Sequence, residues 1–402
     1  MRMNVRQTLR SKVPLLGAAP LVLLAGLLFA CSSLRPVQSH WRIHWSELSA
    51  QAGGAKGALL LATGDILATR TEWRAGETAV VCSRSSDGGR RWRDLSVIAQ
   101  ARPGRDMGDG HLIQLPDGAV LFSYRDNQIR TNEAGLRRYS IRTTISRDAG
   151  QTWQPHSVVA ESVLAPAAEH QTLRGLWSSY LLLKRDGTLQ CYFDDEDTPH
   201  RAGFFRHQWL TMKTWDAARQ RWVNPVTVSR AHRRRHLSRD GMPSVVELPS
   251  GRLLCAFESV QTSPPHANCI RQVTSDDGGH NWSWQHRERN IVFQSGKPNH
   301  LAVSPWITRL PGGQLLCVFA TDEDRPVPSR SGTHPRHIKA DVKCVISPDE
   351  GRTWPPAAET IFAGTHHCYV PGALSLRDGS LLVTCQDFAT GGHRAFRGVA
   401  AP

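Results

Sequence analysis

The sequence lacks the signatures of several large protein classes. Its 402 residues contain no heptad repeat, no phosphate-binding glycine loop, and no Cys or His spacing typical of zinc fingers or zinc proteases. Acidic residues are outnumbered, since 35 Asp and Glu stand against 49 Lys and Arg and leave a net charge of +14. These features disfavour coiled coils, zinc fingers and nucleotide kinases, and we predict neither a catalytic metal nor a cofactor.

Residue types that are common in the turns and sheets of short-stranded proteins are plentiful. The chain holds 33 Gly, 24 Pro and 13 Trp, and 40% of its residues are hydrophobic. This composition is typical of a globular chain with many turns, and it favours strands over long helices. The length suits one large all-β domain or two to three ordinary domains.

The N-terminus resembles a bacterial export signal. Four basic residues and no acid precede an apolar run over 13–30, which predicts a signal peptide over residues 1–30. The run ends in Leu-Phe-Ala-Cys, which is similar to a lipobox and predicts lipidation of Cys31, followed by a linker over 31–40. We expect an envelope lipoprotein (periplasm or outer membrane) or a secreted protein. The alternatives are a soluble exported protein cut nearby and an uncleaved anchor.

Eight cysteines follow the predicted signal. Several stand inside apolar runs, such as 254–257, where Cys serves as a small buried hydrophobe. Export permits disulfides, but the pairing stays open. The eight are Cys82, Cys191, Cys255, Cys269, Cys317, Cys344, Cys368 and Cys385.

An apolar strand, a Gly turn and a second apolar strand recur six times along the chain. Asp-Gly and related pairs between such runs predict β-hairpins. The copies stand 54 to 69 residues apart, which leaves room for two further strands in each unit. The turn glycines are Gly64, Gly118, Gly187, Gly251, Gly313 and Gly379.

A second motif, Ser-x-Asp-x-Gly-x-x-Trp, occurs intact four times between the hairpins. The Asp can accept turn N–H groups, the Gly can take a positive φ, and the Trp can pack between neighbouring sheets. We therefore interpret these residues as structural and not as an active site. They include Asp87, Trp92, Asp148, Trp153, Asp277, Trp282, Asp349 and Trp354.

This motif resembles the Asp-box, or BNR repeat, of the sialidase superfamily. The resemblance covers roughly residues 45–395 and implies an all-β fold, a six-bladed β-propeller over 41–398 with four antiparallel strands in each blade. We expect a strand near residues 41–45 to close the ring against the last blade, and we expect a monomer.

The two motifs divide the faces of the predicted propeller. Gly turns and Asp-boxes share one face, so the opposite face should carry a ligand-binding funnel over the axis. Acids stand seven to ten residues after the turn glycines, and Glu258 directly follows an apolar run. These acids are Glu72, Asp126, Asp194, Asp195, Glu196, Glu258, Asp322, Glu323 and Asp387. The starts of the innermost strands add Asp109, His111, Trp177, Arg239, Asp240, Met242, His300, Trp306 and Tyr369, and Arg125 ends a strand.

Two departures separate this chain from the sialidase pattern. Met242 lies where sialidases have a Glu that assists the nucleophile, and Glu258 lies where they have an Arg. The segment RDGMPSVVELPSGRLLCAFE is instead similar to glycoside hydrolase family 93, the exo-α-L-arabinanases, which share a six-bladed propeller. That resemblance implies a catalytic role for Glu258 and a place beside the reaction centre for Tyr369.

One residue of the family 93 pattern is missing. The family has Trp-Glu-Pro-Phe in the third blade, with Glu as a catalytic carboxylate, where this chain has Trp-Ser-Ser-Tyr from Trp177. Asp195 and Glu196 of the same blade are the nearest replacements by topology, and Asp240 is a third option. Ser178 should then face Glu258 at the floor of the funnel.

The sequence thus predicts an exported, exo-acting glycoside hydrolase on a plant or bacterial glycan. Glu258, with Asp195 or Glu196, would supply the two carboxylates of glycosidic cleavage, and Tyr369 and Arg239 would orient Glu258 and the sugar. The other residues expected to bind substrate are Asp109, His111, Arg125, Trp177, Ser178, Asp240, His300 and Asp322.

The expected partner is an oligo- or polysaccharide and not nucleic acid, and contact with a membrane is expected only through the lipid anchor. Two other functions stay open. One is a glycan-binding propeller that has lost catalysis. The other is an exo-sialidase, which would need three arginines at one point, for example Arg125, Arg239 and Arg336.

Overall fold

The computed structural model describes most of the chain beyond the predicted linker. The described residues are 42–49, 57–74, 77–100, 102–128, 137–164, 174–260, 268–329, 339–363, 368–387 and 392–400. The predicted signal peptide, the lipidation site Cys31, the linker and Arg336 lie outside them. No helix in this part of the chain is long and apolar enough to cross a membrane.

The described strands form six separate sheets of four antiparallel strands each. Strands that follow one another in the chain pair with one another, so each sheet is a meander and forms one blade. The first strand of each blade is innermost, and from blade one to blade six it contacts the first strand of the next blade. The predicted all-β six-bladed propeller with four strands in each blade is confirmed.

The strands of the first three blades are given from the axis outward. Blade one consists of β2 (Leu59–Leu60), β3 (Ile66–Arg74), β4 (Glu77–Ser85) and β5 (Arg93–Ala99). Blade two consists of β6 (Arg105–Gln114), β7 (Val120–Gln128), β8 (Arg137–Ser146) and β9 (Gln154–Leu164). Blade three consists of β10 (Leu176–Leu183), β11 (Leu189–Asp195), β12 (Trp209–Asp216) and β13 (Arg221–Ser229), with the short helix α1 (Asp197–Arg201) after β11.

The remaining blades follow the same order. Blade four consists of β14 (Arg239–Glu247), β15 (Leu253–Val260), β16 (Cys269–Ser275) and β17 (Asn290–Phe293), with a 3₁₀ turn at Ser283–His286. Blade five consists of β18 (Ala302–Arg309), β19 (Leu315–Thr321), β20 (Asp341–Ser347) and β21 (Glu359–Phe362). Blade six consists of β22 (Cys368–Ser375), β23 (Leu381–Asp387), β24 (Gly392–Ala400) and, as its outermost strand, β1 (Ile43–Ser49).

The N-terminal strand closes the ring, as the sequence predicted. β1 pairs antiparallel with β24 from Ile43 opposite Ala400 to Ser49 opposite Ala395. This pairing ties the beginning of the propeller to its end. A side chain at Gly398 would collide with the Trp45 ring, so glycine is required where the two strands meet.

The hydrophobic core lies between the blades and not within one layer. Each second strand packs on a neighbouring blade on both faces, so β11 and β19 are buried along their whole length instead of alternating. All eight described cysteines are buried and none forms a disulfide. Burial raises the pKa of thiols such as that of Cys317, so they act as small hydrophobes.

The Asp-box of the second blade shows how these motifs brace the turns. The Ser146 hydroxyl accepts the Gly150 N–H at 2.8 Å and donates to Asp148 at 2.8 Å. Hydrogen bonds from the Thr152 side chain and backbone lower the pKa of Asp148 to about 2. The Trp153 indole N–H donates to the Gly150 carbonyl at 3.1 Å and to Ser96 of blade one at 3.0 Å, so the box also joins two blades.

A β-bulge interrupts the innermost strand of five blades at the same depth. In four of them a non-glycine residue at the bulge has a left-handed backbone, which is costly for side chains other than glycine. These residues are Asp109 (φ 46°), Met242 (φ 55°), Ser304 (φ 54°) and Val370 (φ 45°). A bulge redirects the backbone and shifts the strand register, so it determines which groups face the funnel.

Trp282 offers a test of the Asp-box as a stabilising element. Its ring is 1% exposed and packs edge-on against Tyr192 at 6.0 Å. Truncation in Trp282→Ala leaves a cavity, and we expect the free energy of unfolding to fall by about 3–5 kcal/mol. Phe205→Ala, which trims a ring that is 63% exposed, is the matched control and should change it by less than about 0.5 kcal/mol. Urea unfolding followed by circular dichroism measures both, and equal midpoints would contradict the structural role.

Candidate active site

Strand alternation sorts the acids that follow the turn glycines into two sets. Residues seven positions after a turn glycine share one face of their strands, and residues eight positions after it share the other. The first set is Thr71, Arg125, Asp194, Glu258, Ala320 and Gln386. The second set is Glu72, Asp126, Asp195, Ser259, Thr321 and Asp387. Only Asp194 and Glu258 are acids in the first set, and they occupy equivalent places in adjacent blades.

Both of these carboxylates bind the bulge of the following blade. Glu258 accepts the Ser304 N–H at 2.8 Å, and Asp194 accepts the Met242 N–H at 3.0 Å. The second oxygen of Asp194 accepts the N–H of Ser178, in its own blade, at 3.4 Å. Asp194 is buried and Glu258 is half-buried. The bulges therefore fix two carboxylates at the same level of the funnel.

Tyr369 approaches this pair from blade six. Burial raises the pKa of its phenol well above the ordinary value, and the nearby charges of Glu258, Asp109 and Asp194 raise it further. The phenol is therefore protonated and can donate a hydrogen bond. Its ring packs with Met242 and Val370, two of the bulge residues. Acids of blades two, three and four therefore all act electrostatically on one phenol of blade six.

Ser178 lies within this cluster, on the innermost strand of blade three. It is 2% exposed, and its hydroxyl donates to the Met242 sulfur at 2.9 Å. Its N–H points to Asp194, as described above. The side chain at the position of the family 93 carboxylate therefore faces the Met242 thioether, and the carboxylate beside it comes from the neighbouring strand β11.

Three aromatic rings lie deeper along the axis than the bulges. His111 stacks on Tyr180 with 4.0 Å between ring centroids, and Trp306 meets the two rings at 5.1 and 5.4 Å. His111 Nδ1 lies 3.0 Å from the Leu181 carbonyl oxygen. These rings come from blades two, three and five and form a floor beneath the carboxylates. His111 is thus a packing residue of the floor.

An ion-paired cluster borders the site in blade two. The Arg125 guanidinium binds Asp109, at the bulge of its own blade, and both oxygens of Asp106 at 3.0 and 3.1 Å. Asp109 keeps 31% of its side chain exposed. Arg125 faces the funnel as expected, but its charge is already balanced by two carboxylates.

Asp195 and Glu196, the expected second carboxylates, do not join Glu258. Asp195 caps α1, because its oxygens accept the N–H groups of Asp197 and Thr198 at 2.9 Å and the Thr198 hydroxyl at 2.6 Å. Glu196 accepts the Gly175 N–H at 2.7 Å and forms an ion pair with Arg239. Both side chains hold the loop after β11 in place, and the acid of this blade that binds a bulge as Glu258 does is Asp194.

Three further expected contacts are also structural. Asp240 is fully buried and pairs with Arg289 at 2.5 Å while accepting hydroxyls of Ser229 and Ser238. The two oxygens of Asp322 accept backbone N–H groups of Leu301 and Ser329 at 2.6 and 2.5 Å. His300 lies within hydrogen-bond distance of the Pro298 and Arg325 carbonyl oxygens, at 3.2 and 3.1 Å. These groups fasten loops around the funnel.

Trp177 and Arg239 complete the set of expected residues. Trp177 packs edge-on against Tyr139 of blade two at 5.9 Å, in the core between blades. Arg239 remains partly exposed at the start of β14, where it binds Glu196, the Gln208 side chain at 3.0 Å and the Arg206 carbonyl at 3.2 Å. Neither is brought to the pair of carboxylates.

The sequence analysis placed Asp194 among the rim acids but did not single it out as the counterpart of Glu258. Its signal was the spacing, since Asp194 and Glu258 both stand seven residues after a turn glycine, whereas Asp195 stands eight after. A shift of one residue turns a strand side chain to the opposite face.

The sequence matches one known family of repeat-containing domains. A family model for the BNR repeat-like domain matches residues 68–358. The chain belongs to the BNR repeat-like family. The predicted BNR repeat is confirmed by this match. No curated protein sequence matches this BNR propeller.

Several solved structures share the fold of this BNR propeller. An α-L-arabinanase of Penicillium chrysogenum, complexed with arabinobiose, is 19% identical over 89% of this chain and 98% of its own, with a TM-score of 0.62. A GH93 α-L-arabinofuranosidase of Fusarium graminearum, also with arabinobiose, is 18% identical over 89% and 98%, with a TM-score of 0.64. A sialidase of Streptococcus pneumoniae is 12% identical over 90% and 70%, with a TM-score of 0.53. At these identities the likeness shows a common architecture.

The buried phenols of this BNR propeller predict its behaviour in alkali. Burial raises the pKa of Tyr124, Tyr180, Tyr192 and Tyr369 above that of an unfolded tyrosine. A folded pKa above the unfolded value means that stability is lost as pH rises beyond about 10. We expect the phenolate absorbance of these four to appear only as the chain unfolds. Ionisation of all tyrosines near pH 10 in a protein with unchanged circular dichroism would contradict this.

Proposed function

We propose that this BNR propeller is a glycoside hydrolase that uses Asp194 and Glu258 as its two carboxylates. The observation that carries the proposal is their equivalent placement in adjacent blades, each fixed by a bulge N–H. The charges of both also raise the pKa of the Tyr369 phenol. Hydrolysis of a glycosidic bond needs two such groups. One protonates the departing oxygen, and the other attacks the sugar or activates the water that does.

The hydrogen bonds from backbone N–H groups explain how Asp194 and Glu258 are held in position before a substrate binds. A carboxylate that accepts backbone N–H groups keeps its position without reorganising when the substrate arrives. The protonated phenol of Tyr369 can donate to Glu258 or to the sugar. The aromatic floor of His111, Tyr180 and Trp306 excludes water from below, which strengthens these electrostatic interactions.

Asp194 accounts for the missing carboxylate of the family 93 pattern. Ser178 leaves space beside Met242, and the Asp194 side chain extends from β11 to the same two residues. A carboxylate from the second strand of blade three thereby replaces one from the first strand. This supports catalysis over a propeller that only binds glycans.

The substrate that we propose is an arabinan-type glycan, attacked from its chain end. The support is the family 93-like motifs around Glu258 and the arabinobiose present in the two fungal neighbours. A closed floor beneath the funnel favours a chain end over the middle of a polymer.

Sialidase activity has less support. It needs several arginines free to bind the sialic acid carboxylate, but Arg125 is balanced by Asp106 and Asp109 and Arg239 by Glu196. These ion pairs occupy the charges that a sialic acid would use.

We further propose that the protein is exported and anchored through Cys31, on the evidence of the signal-like residues 1–30 and the lipobox-like end. Mass spectrometry of the protein purified from membranes should find an N-terminal Cys31 carrying lipid. An unmodified peptide that spans residues 30 and 31 in the mature protein would refute the anchor.

Neighbouring residues of β11 provide a sharp test of the catalytic pair. We expect Asp194→Asn and Glu258→Gln each to lower kcat on aryl α-L-arabinofuranoside or linear arabino-oligosaccharides by about 10²- to 10⁴-fold, the usual contribution of a general acid or base. Asp195→Asn is the matched control, because it changes the adjacent carboxylate that caps α1, and its kcat should stay within about threefold of the wild type at a temperature where it is folded.

Three results would count against the proposal. Loss of activity in Asp195→Asn, together with full activity in Asp194→Asn, would assign the catalytic role to Asp195 instead of Asp194. Absence of hydrolysis by the wild type on arabinosides and on a broad glycoside panel, together with binding of arabinobiose, would favour a glycan-binding propeller. Hydrolysis of an aryl sialoside alone would favour a sialidase.

A further inference from the structure

A second concave site lies between blades one and two, away from the Asp194–Glu258 pair. It is a groove of about 500 Å³, within the size range of small-molecule pockets. The end of β5 and the residues that lead into β6 form one wall, and β7, β8 and β9 form the other. Its chemistry comes from Arg102, Arg105, Arg142, Asp126, Tyr124 and Trp153.

The groove carries an excess of positive charge. Asp126 is the acid of the lining, and it pairs with Arg105 at 2.6 Å and Arg142 at 3.1 Å. Arg102 is exposed at the mouth of the groove. Three guanidinium groups therefore face one carboxylate, and the net charge can bind an anion of the ligand.

Part of this polar network is incomplete. Asp126 is 8% exposed, yet its Oδ1 has no hydrogen-bond partner among the described residues, and neither has Nε of Arg105. Both atoms are shielded from solvent, so the more exposed guanidinium groups of Arg102 and Arg142 are the polar groups that a ligand can reach. Sugar hydroxyls both donate to carboxylates and accept from guanidinium groups.

Aromatic side chains give the groove an apolar wall. Tyr124 is held by parallel stacking on Phe122 at 5.6 Å, and the Trp153 N–H is bound by Gly150 and Ser96. Both rings are thus held in place before a ligand arrives. A fixed aromatic wall beside charged groups suits the apolar face of a sugar ring.

We propose that this groove binds a uronic-acid unit of a glycan. The sugar ring packs on the Tyr124 and Trp153 wall, and its carboxylate is held by Arg102 and Arg142. The groove is adjacent to the funnel, since Arg125 and Asp126 leave opposite faces of β7. It therefore acts as an accessory site for an acidic glycan, independently of whether the funnel hydrolyses one.

The test is a binding titration with defined probes. Isothermal calorimetry at low salt would compare a galacturonate trisaccharide, the matching neutral galactose trisaccharide and inorganic phosphate. We expect the acidic trisaccharide to bind wild type at least tenfold more tightly than the neutral one, and its affinity to fall with salt. Arg102→Gln/Arg142→Gln should weaken it at least tenfold. Arg91→Gln/Arg219→Gln, which removes the same charge from exposed sites, should change it less than twofold.

Two additional variants distinguish loss of the groove contact from disruption of the Asp126 ion pairs and from binding in the funnel. Arg102→Gln alone leaves buried Asp126 and its partners intact and should still weaken the acidic trisaccharide about threefold or more. Glu258→Gln should bind it as the wild type does. Loss in Glu258→Gln with normal affinity in the arginine variants would place the acidic sugar in the funnel and overturn the proposal. Equal affinity for the neutral trisaccharide, competition by phosphate at equal concentration, or no binding by wild type would overturn it too.

Discussion

Hydrogen bonds between neighbouring blades hold the candidate site in its geometry. The bulge of one blade turns a backbone N–H towards the preceding blade, and a carboxylate there accepts it, as Asp194 does for Met242 and Glu258 for Ser304. A left-handed backbone at such residues costs of the order of 1–3 kcal/mol, so it persists only where the surroundings favour it. The two acids supply that partner and are themselves fixed at the funnel.

The propeller separates the groups that stabilise it from those available for chemistry. Asp-boxes brace the turns on one face and join blades through Trp side chains, as Trp153 does with Ser96. On the funnel face, many acids also hold loops, since Glu196 pairs with Arg239 and Asp240 with Arg289. Part of the excess of arginine is used in these ion pairs. Because many carboxylates are bound in them, few remain to contact a substrate.

The fold was predictable because it is repetitive. The six hairpins and four Asp-boxes define the number of blades without any knowledge of contacts. The first strand after the predicted linker was expected to pair with the last blade, because that blade still lacked its fourth strand. Glu258 was also predictable, because it continues an apolar strand directly.

The partners within the site were harder to predict. Asp194 and Asp195 differ by one position, and only the strand register separates a funnel residue from a helix cap. The bulges at Met242 and Ser304 leave no clear sequence pattern. Ion pairs such as Arg289 with Asp240 join residues 49 positions apart, so they follow from the packed structure. For the same reason the arginine groove between blades one and two could not be anticipated.

The central claim is that Asp194 and Glu258 face one another across a bound sugar. A crystal structure of Glu258→Gln soaked with arabinobiose tests it most directly. The account predicts a disaccharide in the funnel, its glycosidic oxygen between the two side chains, with the carboxyl carbons about 5–10 Å apart as in glycosidase pairs. A sugar bound elsewhere, or one in the funnel contacting Asp195 or Glu196 with Asp194 out of reach, would contradict the account.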